Sequence, residues 1–315
     1  MLQNRLIHYQ RRESFPVPKI KYKDFNFRPN TLAVIDKANE IIADYASQGF
    51  DLTLRQLYYQ FVSRDLIPNT QKDYKNLGSI INDGRLAGLI DWESIVDRTR
   101  EVRSLSHWSS PADIVEACST QFNVDRWAGQ PYRPEVWIEK DALVGVFERV
   151  CRELDVPLLS CRGYTSQSEM WGAAQRMLQY KRRKQKPIVF HFGDHDPSGK
   201  DMSRDILDRL ELFTRSMMEF ERLALNMDQV TQYSPPPNPA KVTDSRADGY
   251  IAEFGHESWE LDALEPAVLE ALVRGAITRI LDKQKMDEAT KEQDRHRETL
   301  ATIADRFDEV QEFLA

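Results

Sequence analysis

Apolar residues recur with the 3.6-residue period of an α-helix in three stretches of the first hundred residues. They span 31–47, the segment LRQLYYQFVSRD after Thr53, and roughly 72–86. Threonine is typical of helix N-caps, so Thr53 is predicted to cap the second helix. Because the extended segment LIDWESIVDRT follows, we predict a winged-helix or helix-turn-helix DNA-binding domain at 31–105 after a polar arm at 1–30. Three short helices also occur in folds that do not bind DNA, so this pattern alone does not assign the function.

From residue 134 onward the pattern changes to short apolar runs that alternate with amphipathic stretches. The apolar runs are VWIE, PLLSCRG, PIVFHFGD and FERLALN, and each gap between them has the length and period of a helix. This alternation predicts an α/β, Rossmann-like domain at 134–265, in which helices cover both faces of a parallel sheet. The Ser-rich and Pro-rich residues 106–133 predict a linker, and 266–315 predict a charged helical extension.

Composition narrows the functional classes. Apolar residues make up 41% of the chain, but no run is long enough to span a membrane. The N-terminus has no apolar signal segment, and three widely spaced cysteines exclude a disulfide framework, so we expect a cytoplasmic protein. The net charge is −7, with +3 in residues 1–110 and −10 in the remainder. An acidic domain of this kind approaches DNA only where a cation or basic elements bridge the repulsion.

Acidic residues stand at the ends of two predicted strands. Glu139 ends the first strand, and Asp194 and Asp196 end the third. Alternate residues of an extended segment face the same side, so both aspartates can point at one ion while His195 points away. Hard oxygen ligands without nearby cysteine select Mg²⁺, or Mn²⁺, rather than zinc. The simpler alternative is that these acids are solvated strand ends or helix caps.

The segments WIEKDAL and FGDHDPSG together resemble the Toprim domain, which topoisomerases, bacterial primases and several nucleases share. In that family one glutamate and a DxD pair hold catalytic Mg²⁺, and the matching positions here are Glu139, Asp194 and Asp196. The segment RGYTSQ matches the glycine turn that follows the second strand in the family. The resemblance spans about 134–265 and implies a metal site that acts on the phosphodiester backbone of DNA.

The helix LRQLYYQFV resembles the RxxYY signature of the topoisomerase VI A subunit and the related meiotic double-strand-break proteins. Those proteins place a winged-helix domain before the Toprim domain. Their nucleophile corresponds to Tyr59. The helical period independently puts Tyr58 on the apolar stripe and Tyr59 on its flank, one turn after Arg55. We therefore predict Tyr59 as the nucleophile and Arg55 as its neighbour, with a surface tyrosine as the plain alternative.

The resemblance implies how such a protein works. Tyr59 attacks a phosphodiester of double-stranded DNA and becomes linked to the 5′ end, with Glu139 and the metal completing the catalytic centre. Each protomer of a homodimer cuts one strand, and strand passage requires a separate ATPase subunit. A nucleoid-associated, prokaryotic or mobile-element setting is expected. Two alternatives stay open: a Toprim nuclease in which water attacks, and a non-catalytic DNA-binding subunit of a larger complex.

Further residues are candidates for DNA contact or metal support. Arg85 matches an arginine that recurs in the family's winged helix. Lys181, Arg182, Arg183 and Lys184 belong to the run KRRKQK, which is either a DNA-backbone contact or a solvated helix end. Glu260 and Asp262 form another alternating acidic pair, suited to a second metal shell or to a helix start.

Overall fold

A computed structural model describes residues 19–96, 107–240, 244 and 246–314. The chain forms two compact units, Met1–Asp97 and Arg98–Ala315. The predicted domain boundary at 105 and most of the predicted arm lie outside the described residues. In the described part of the chain, no helix combines the length and apolar character needed to cross a membrane.

The first unit contains the three predicted helices, α1 (Pro29–Ser47), α2 (Leu54–Ser63) and α3 (Gln71–Leu86). Thr53 caps α2 as expected: its side chain accepts a hydrogen bond from the Gln56 backbone, and the Gln56 side chain accepts one from the Thr53 backbone. These reciprocal bonds satisfy backbone donors at the start of α2, so the beginning of the helix is fixed by local sequence.

The extended stretch predicted after α3 differs from a strand. Over 89–96 the chain bends and makes a single isolated bridge, between Leu52 and Ile95. Asp91 accepts a hydrogen bond from the backbone of Glu93, and this local bond competes with pairing to a neighbouring strand. The rest of the predicted wing lies outside the described residues, so the winged-helix assignment of this unit stays a prediction.

The second unit is built on a parallel sheet. Its strands are β1 (Tyr132–Ile138), β2 (Leu158–Ser160), β3 (Lys186–Phe192) and β4 (Glu219–Ala224), in the order β2-β1-β3-β4. A separate antiparallel pair is formed by β5 (Asn238–Pro239) and β6 (Glu257–Ser258). The four-stranded parallel sheet predicted from the alternating pattern is confirmed, with each strand within a few residues of its predicted position.

Helices lie on both faces of this sheet, as predicted. The helices of the second unit are α4 (Pro111–Gln121), α5 (Val144–Glu153), α6 (Gln167–Arg182), α7 (Pro197–Thr214), α8 (Met227–Tyr233), α9 (Ala247–Phe254), α10 (Pro266–Ile280), α11 (Lys283–Asp305) and α12 (Phe307–Leu314). Trp137 and Val189 of the sheet pack with buried residues of α6 and α7. On the opposite face the ring of Phe192 contacts Phe147 of α5, whose neighbour is α10.

Over 107–133 the described chain contains a helix and buried contacts, although the pattern of 106–133 predicts a linker. Ser110 and Asp113 form a capping box and Pro111 occupies the first helical turn, so this segment begins α4. Helix α4 packs against α11, and the fully buried Trp127 donates its indole hydrogen to the carbonyl of Leu154 at 2.7 Å. The Ser-Pro pair that suggested a loop is instead the start of a helix.

The described C-terminal residues are helical, as predicted, and form the three helices α10, α11 and α12. Helix α10 is part of the domain body, because Leu269, Val273 and Ile277 are fully buried against the rest of the second unit. Helix α11 is largely exposed, with Met286 and Gln293 as its buried residues. The extension therefore contributes apolar core to the sheet domain as well as charged surface.

Candidate active site

The predicted carboxylates lie at the carboxyl ends of two neighbouring strands. Glu139 directly follows β1, and its backbone N–H donates to the carbonyl of Phe192, the last residue of β3, at 2.8 Å. Asp194 and Asp196 follow β3 in the next turn. Register therefore brings one glutamate and two aspartates to the same edge of the sheet, where parallel α/β domains commonly bind ligands.

The carboxylate of Glu139 sits against the turn that contains the two aspartates. Its Oε2 accepts a hydrogen bond from the backbone N–H of Asp194 at 2.8 Å. A side chain at Gly193 would place Cβ 3.0 Å from that same oxygen, and one at Gly199 would place Cβ 3.1 Å from it and 2.3 Å from the Asp194 carbonyl. Close approach of the Asp194 carbonyl thus requires glycine at 199, whereas a Cβ at 193 would press on side-chain ends that have to give by a few tenths of an ångström.

Asp194 is buried and held by a distant segment. Its Oδ1 accepts a hydrogen bond from the backbone of Leu261 at 2.7 Å and lies 3.0 Å from the ammonium of Lys140. A reciprocal pair of backbone hydrogen bonds between His195 and Trp259 brings this segment to the turn. The segment WELDALEP is therefore part of the site.

Asp196 caps helix α7. Its Oδ1 accepts hydrogen bonds from the Gly199 backbone at 2.6 Å and from the Ser198 hydroxyl at 2.9 Å. This is the helix-cap role that the sequence left open as the simpler alternative. The helix cap uses Oδ1 of Asp196, so this role is compatible with a metal ion at Oδ2.

Lys140 lies at the centre of a second group of carboxylates, which the sequence did not reveal. Its ammonium is 2.6 Å from Glu260, 2.9 Å from Asp262 and 3.0 Å from Asp194. The Asp262 side chain is fully buried. The alternating acidic pair was noticed in the sequence, but its partner is a lysine 120 residues away, which no local pattern indicates.

Arg222 of β4 donates hydrogen bonds to the backbone of the turn that contains Asp194 and Asp196. Its guanidinium donates to the carbonyls of Gly193, Asp194 and Gly199, at 2.9, 2.5 and 3.0 Å, and to the hydroxyl of Ser203. Arg222 was not among the residues predicted from the sequence. The signal that was available is an arginine within the predicted strand FERLALN, where a buried charge needs several partners.

The pKa values follow from this crowding of acids. The pKa of Asp194 is raised to about 7: burial is the largest cause, the charge of Lys140 opposes the rise, and the charges of Glu139 and Asp262 add to it. Burial also raises the pKa of Glu139, although the Asp194 backbone and the Lys140 charge lower it. Burial lowers the pKa of Arg222 to about 10. The carboxylate cluster consists of five acids and two cations: Glu139, Asp194, Asp196, Glu260, Asp262, Lys140 and Arg222. Five acids against two cations leave an excess of negative charge.

The donor chemistry of the cluster fits a hard divalent cation. Hydrogen bonds between described residues fall on a single oxygen of each of Glu139, Asp194 and Asp196. Within the described ranges, however, no three His, Cys, Asp or Glu side chains stand close enough together to hold a metal ion as they are. Mg²⁺ commonly uses one or two carboxylates and keeps several waters, so a tight trio is not required for it.

The two histidines of this region have structural partners. His195 is buried among aromatic side chains, and its Nδ1 lies 2.7 Å from the Tyr250 hydroxyl, which agrees with the predicted orientation away from the carboxylates. His191 is buried in β3, with Nδ1 3.0 Å from the Ser203 hydroxyl. Burial lowers the pKa of His191 to about 3 and that of His195 to about 4, so both rings are neutral at pH 7.

The tyrosine pair of α2 differs from its predicted placement in one respect. Tyr58 is buried as expected, but Tyr59 is only 3% exposed and does not lie on an open flank. Seven of the ten residues of α2 are buried, so the helix is covered well beyond its apolar stripe. The expected neighbour is present: Arg55 donates to the Tyr59 hydroxyl at 3.3 Å, and its guanidinium lies 5.6 Å from the centre of the ring.

Three of the residues predicted to contact DNA, Arg85, Lys181 and Arg183, have structural partners as well. Arg85 donates to the carbonyls of Trp92 and Ile95, at 2.5 and 2.6 Å. Lys181 donates to the Ser216 hydroxyl at 2.6 Å, and Arg183 lies 3.7 Å from Asp125. Contacts of these residues with DNA stay predictions.

The basic run Lys181, Arg182, Arg183 and Lys184 lies at the amino end of β3, whereas the carboxylates follow its carboxyl end. A seven-residue strand separates the two by about 20 Å. A groove of about 600 Å³ along α6, lined by residues such as Trp171 and Phe213, contains none of the carboxylates.

No protein-family model, no curated protein and no solved structure matches this chain. A buried group of acids at the carboxyl edge of a parallel sheet, with an excess of negative charge, is suited to binding a hard cation and, through it, a phosphate.

Proposed function

We propose that the chain is a Mg²⁺-dependent DNA-cleaving enzyme of the topoisomerase VI A type, with a Toprim domain as its second unit and a winged-helix domain as its first. The observation that supports this most is the convergence of Glu139, Asp194 and Asp196 at the ends of β1 and β3. The resemblance of WIEKDAL and FGDHDPSG to the Toprim motifs selects DNA among phosphate substrates.

Glu139, Asp194 and Asp196 hold the cation in this proposal, which also allows Mn²⁺. When bound, the divalent ion neutralises charge on a phosphodiester and fixes its orientation. The chain contributes the geometry: Gly193 and Gly199 permit the close approach, and Arg222 holds the turn by its carbonyls. Preorganised charge of this kind lowers the cost of reorganisation during phosphoryl transfer.

The proposed nucleophile is Tyr59. Its oxygen forms a bond to phosphorus, the P–O3′ bond breaks, the 3′ oxygen takes up a proton, and the phenol proton passes to water. The DNA is left with a 3′ hydroxyl and a 5′ phosphotyrosyl link. Arg55, one turn before Tyr59, donates to the hydroxyl and would favour the phenolate. A homodimer cuts both strands, and a separate ATPase subunit would be needed for strand passage.

The burial of Tyr59 favours a second candidate, a Toprim nuclease in which water is the nucleophile. A side chain that is 3% exposed has to become accessible before it can attack DNA. Hydrolysis at the carboxylate cluster needs no such step. Both candidates use the same acids, so only the tyrosine distinguishes them.

Cleavage of supercoiled plasmid in Mg²⁺ or Mn²⁺ tests the proposal. We expect Glu139→Gln and Asp196→Asn to lower the cleavage rate at least about 100-fold, in line with the loss of a charge-stabilising group. The matched control is Asp208→Asn, which removes an exposed acid of α7 that pairs with Arg204. Wild-type protein without metal-dependent cleavage, or carboxylate variants as active as the control, would reject catalysis at this site.

The tyrosine is tested by trapping the adduct. After denaturation with detergent, we expect wild-type protein to remain attached to the 5′ ends, and Tyr59→Phe to give neither adduct nor cleavage. Tyr58→Phe, which changes the adjacent buried ring, is the matched control. If Tyr59→Phe still cleaves and no adduct survives in wild type, the water mechanism is correct instead.

A further inference from the structure

The ammonium group of Lys140 is placed as a bound cation would be. Three carboxylates from two separate chain segments surround it at 2.6–3.0 Å: Asp194 from the turn after β3, and Glu260 and Asp262 from the segment after β6. The lysine side chain is only 18% exposed. A single buried lysine thus has more acidic partners than one charge can neutralise.

Asp194 contacts both Lys140 and Glu139. Its Oδ1 lies 3.0 Å from the Lys140 ammonium, and its backbone N–H donates to Oε2 of Glu139 at 2.8 Å. A carboxylate shared by two adjacent cations is the arrangement of two-metal phosphoryl-transfer sites, where the ions lie about 3.5–4 Å apart. Here one of the two neighbouring positions already contains a positive charge that belongs to the chain.

The charges around Lys140 favour an ammonium group that stays among the three carboxylates. Three carboxylate oxygens lie within 3.0 Å of the Lys140 ammonium, so its positive charge is compensated where it lies. The Asp262 side chain is fully buried beside it, so withdrawing the lysine would remove a positive charge from a buried acid.

We infer that the ammonium of Lys140 fills one of two cation positions in the carboxylate cluster, so that the cluster takes a single divalent ion, beside the lysine at Glu139, Asp194 and Asp196. This inference rests on the proposed function for the existence of that divalent site. The lysine would act as a positioning residue: it keeps Asp194 and the segment Trp259–Asp262 in place without itself contacting substrate.

The test is the number of Mn²⁺ ions bound per chain, measured from the spin-resonance signal of free Mn²⁺ during titration. We expect one ion for wild type and two for Lys140→Gln, because the substitution vacates a position lined by Asp194, Glu260 and Asp262. Lys140→Arg keeps the charge and should bind one ion. Lys200→Gln is the matched control: its ammonium lies at the same edge of the sheet, over the Phe254 ring, and we expect one ion.

A second readout is thermal stability. Lys140→Gln should lose stability without metal and recover most of it in Mn²⁺, whereas wild type and Lys200→Gln should gain less from Mn²⁺. If Lys140→Gln does not fold, Lys140→Gln combined with Glu260→Gln removes one charge of each sign and should also take a second, weaker ion.

The outcomes separate this inference from the proposed function. Two ions in wild type, or one in every folded Lys140→Gln variant, would overturn the role of the lysine while leaving the metal site intact. No ion in wild type but one in Lys140→Gln would support the lysine's position as a cation site and reject the proposed function. No ion in any variant would reject both.

Discussion

Helix α2 and the carboxylate cluster hold their polar side chains in different ways. In α2 the contact between Arg55 and Tyr59 joins residues one helical turn apart, so it forms wherever the helix forms. In the cluster, Glu139, Asp194 and Glu260 come from three segments, and each is held by groups distant in sequence. The cluster exists only in the folded second unit, and its crowded acids are stabilised by Lys140 and Arg222.

This difference shows where changes should be costly. A local pair loses one hydrogen bond when it is altered. A cluster of buried charges loses mutual compensation, because removing one partner leaves the others buried and unpaired. We therefore expect substitutions in the carboxylate cluster to affect stability and metal binding together, and substitutions that alter only the Arg55–Tyr59 contact to affect stability slightly.

The largest effect is expected for Arg222→Met. The change removes donors to three carbonyls of the acidic turn and should lower the free energy of unfolding by about 3–5 kcal/mol, as for other buried charges that lose a partner. Urea unfolding followed by tryptophan fluorescence measures it. Arg279→Met, which breaks an exposed pair with Glu221, should cost less than about 1 kcal/mol. Equal losses for the two arginines would contradict the role given to Arg222.

Gly199→Ala should come next. The added Cβ would lie 2.3 Å from the Asp194 carbonyl, so the turn has to move, at a cost of roughly 1–3 kcal/mol. We also expect weaker Mn²⁺ binding, because the Glu139 carboxylate loses its position. Gly249→Ala, in helix α9, meets nothing within 4 Å, so it should leave Mn²⁺ binding unchanged and keep or slightly raise stability. An unchanged Mn²⁺ affinity in Gly199→Ala would separate the turn from the metal site.

A smaller effect is expected from pH. The pKa of Asp194 is raised in the folded state to about 7, so folding takes up a proton between its unfolded pKa, near 4, and that value. Without metal, this contribution to stability is present at low pH and is lost as pH rises through about 7. Between pH 8 and 5 we expect the melting temperature of wild type to rise by roughly 2–6 °C relative to Asp194→Asn. The opposite sign would show that Asp194 is stabilised as the anion.

The smallest effects belong to the tyrosines. The Tyr58 hydroxyl lies 3.0 Å from Asn69 Oδ1 and 3.1 Å from the Thr70 carbonyl, so Tyr58→Phe should cost about 1–2 kcal/mol. Tyr59→Phe alters a 3.3 Å contact with Arg55 and should cost about 0.5 kcal/mol. Chemical denaturation of both variants measures the difference. A larger loss for Tyr59→Phe would mark its hydroxyl as structural and weaken its proposed role as nucleophile.

Much of the architecture could be predicted because it depends on periodicity. Apolar spacing located α1, α2 and α3, and alternation of strands and helices located the parallel sheet. The wrong predictions lie where a local sequence feature is compatible with two different structures. The Ser-Pro pair before Ala112 suggested a loop but begins a helix, and the flank position of Tyr59 suggested exposure but is covered.

The sequence by itself determined which side chains end the strands: Glu139, Asp194 and Asp196 follow apolar runs whose pattern fixes their place at one edge of a sheet. Only the tertiary structure decided their partners. Lys140 meets Glu260 and Asp262 across 120 residues, and Arg222 reaches the turn from a neighbouring strand. The physical reason is that strand ends follow from short-range hydrophobic order, whereas compensation of buried charge depends on which distant segments the packed sheet brings together.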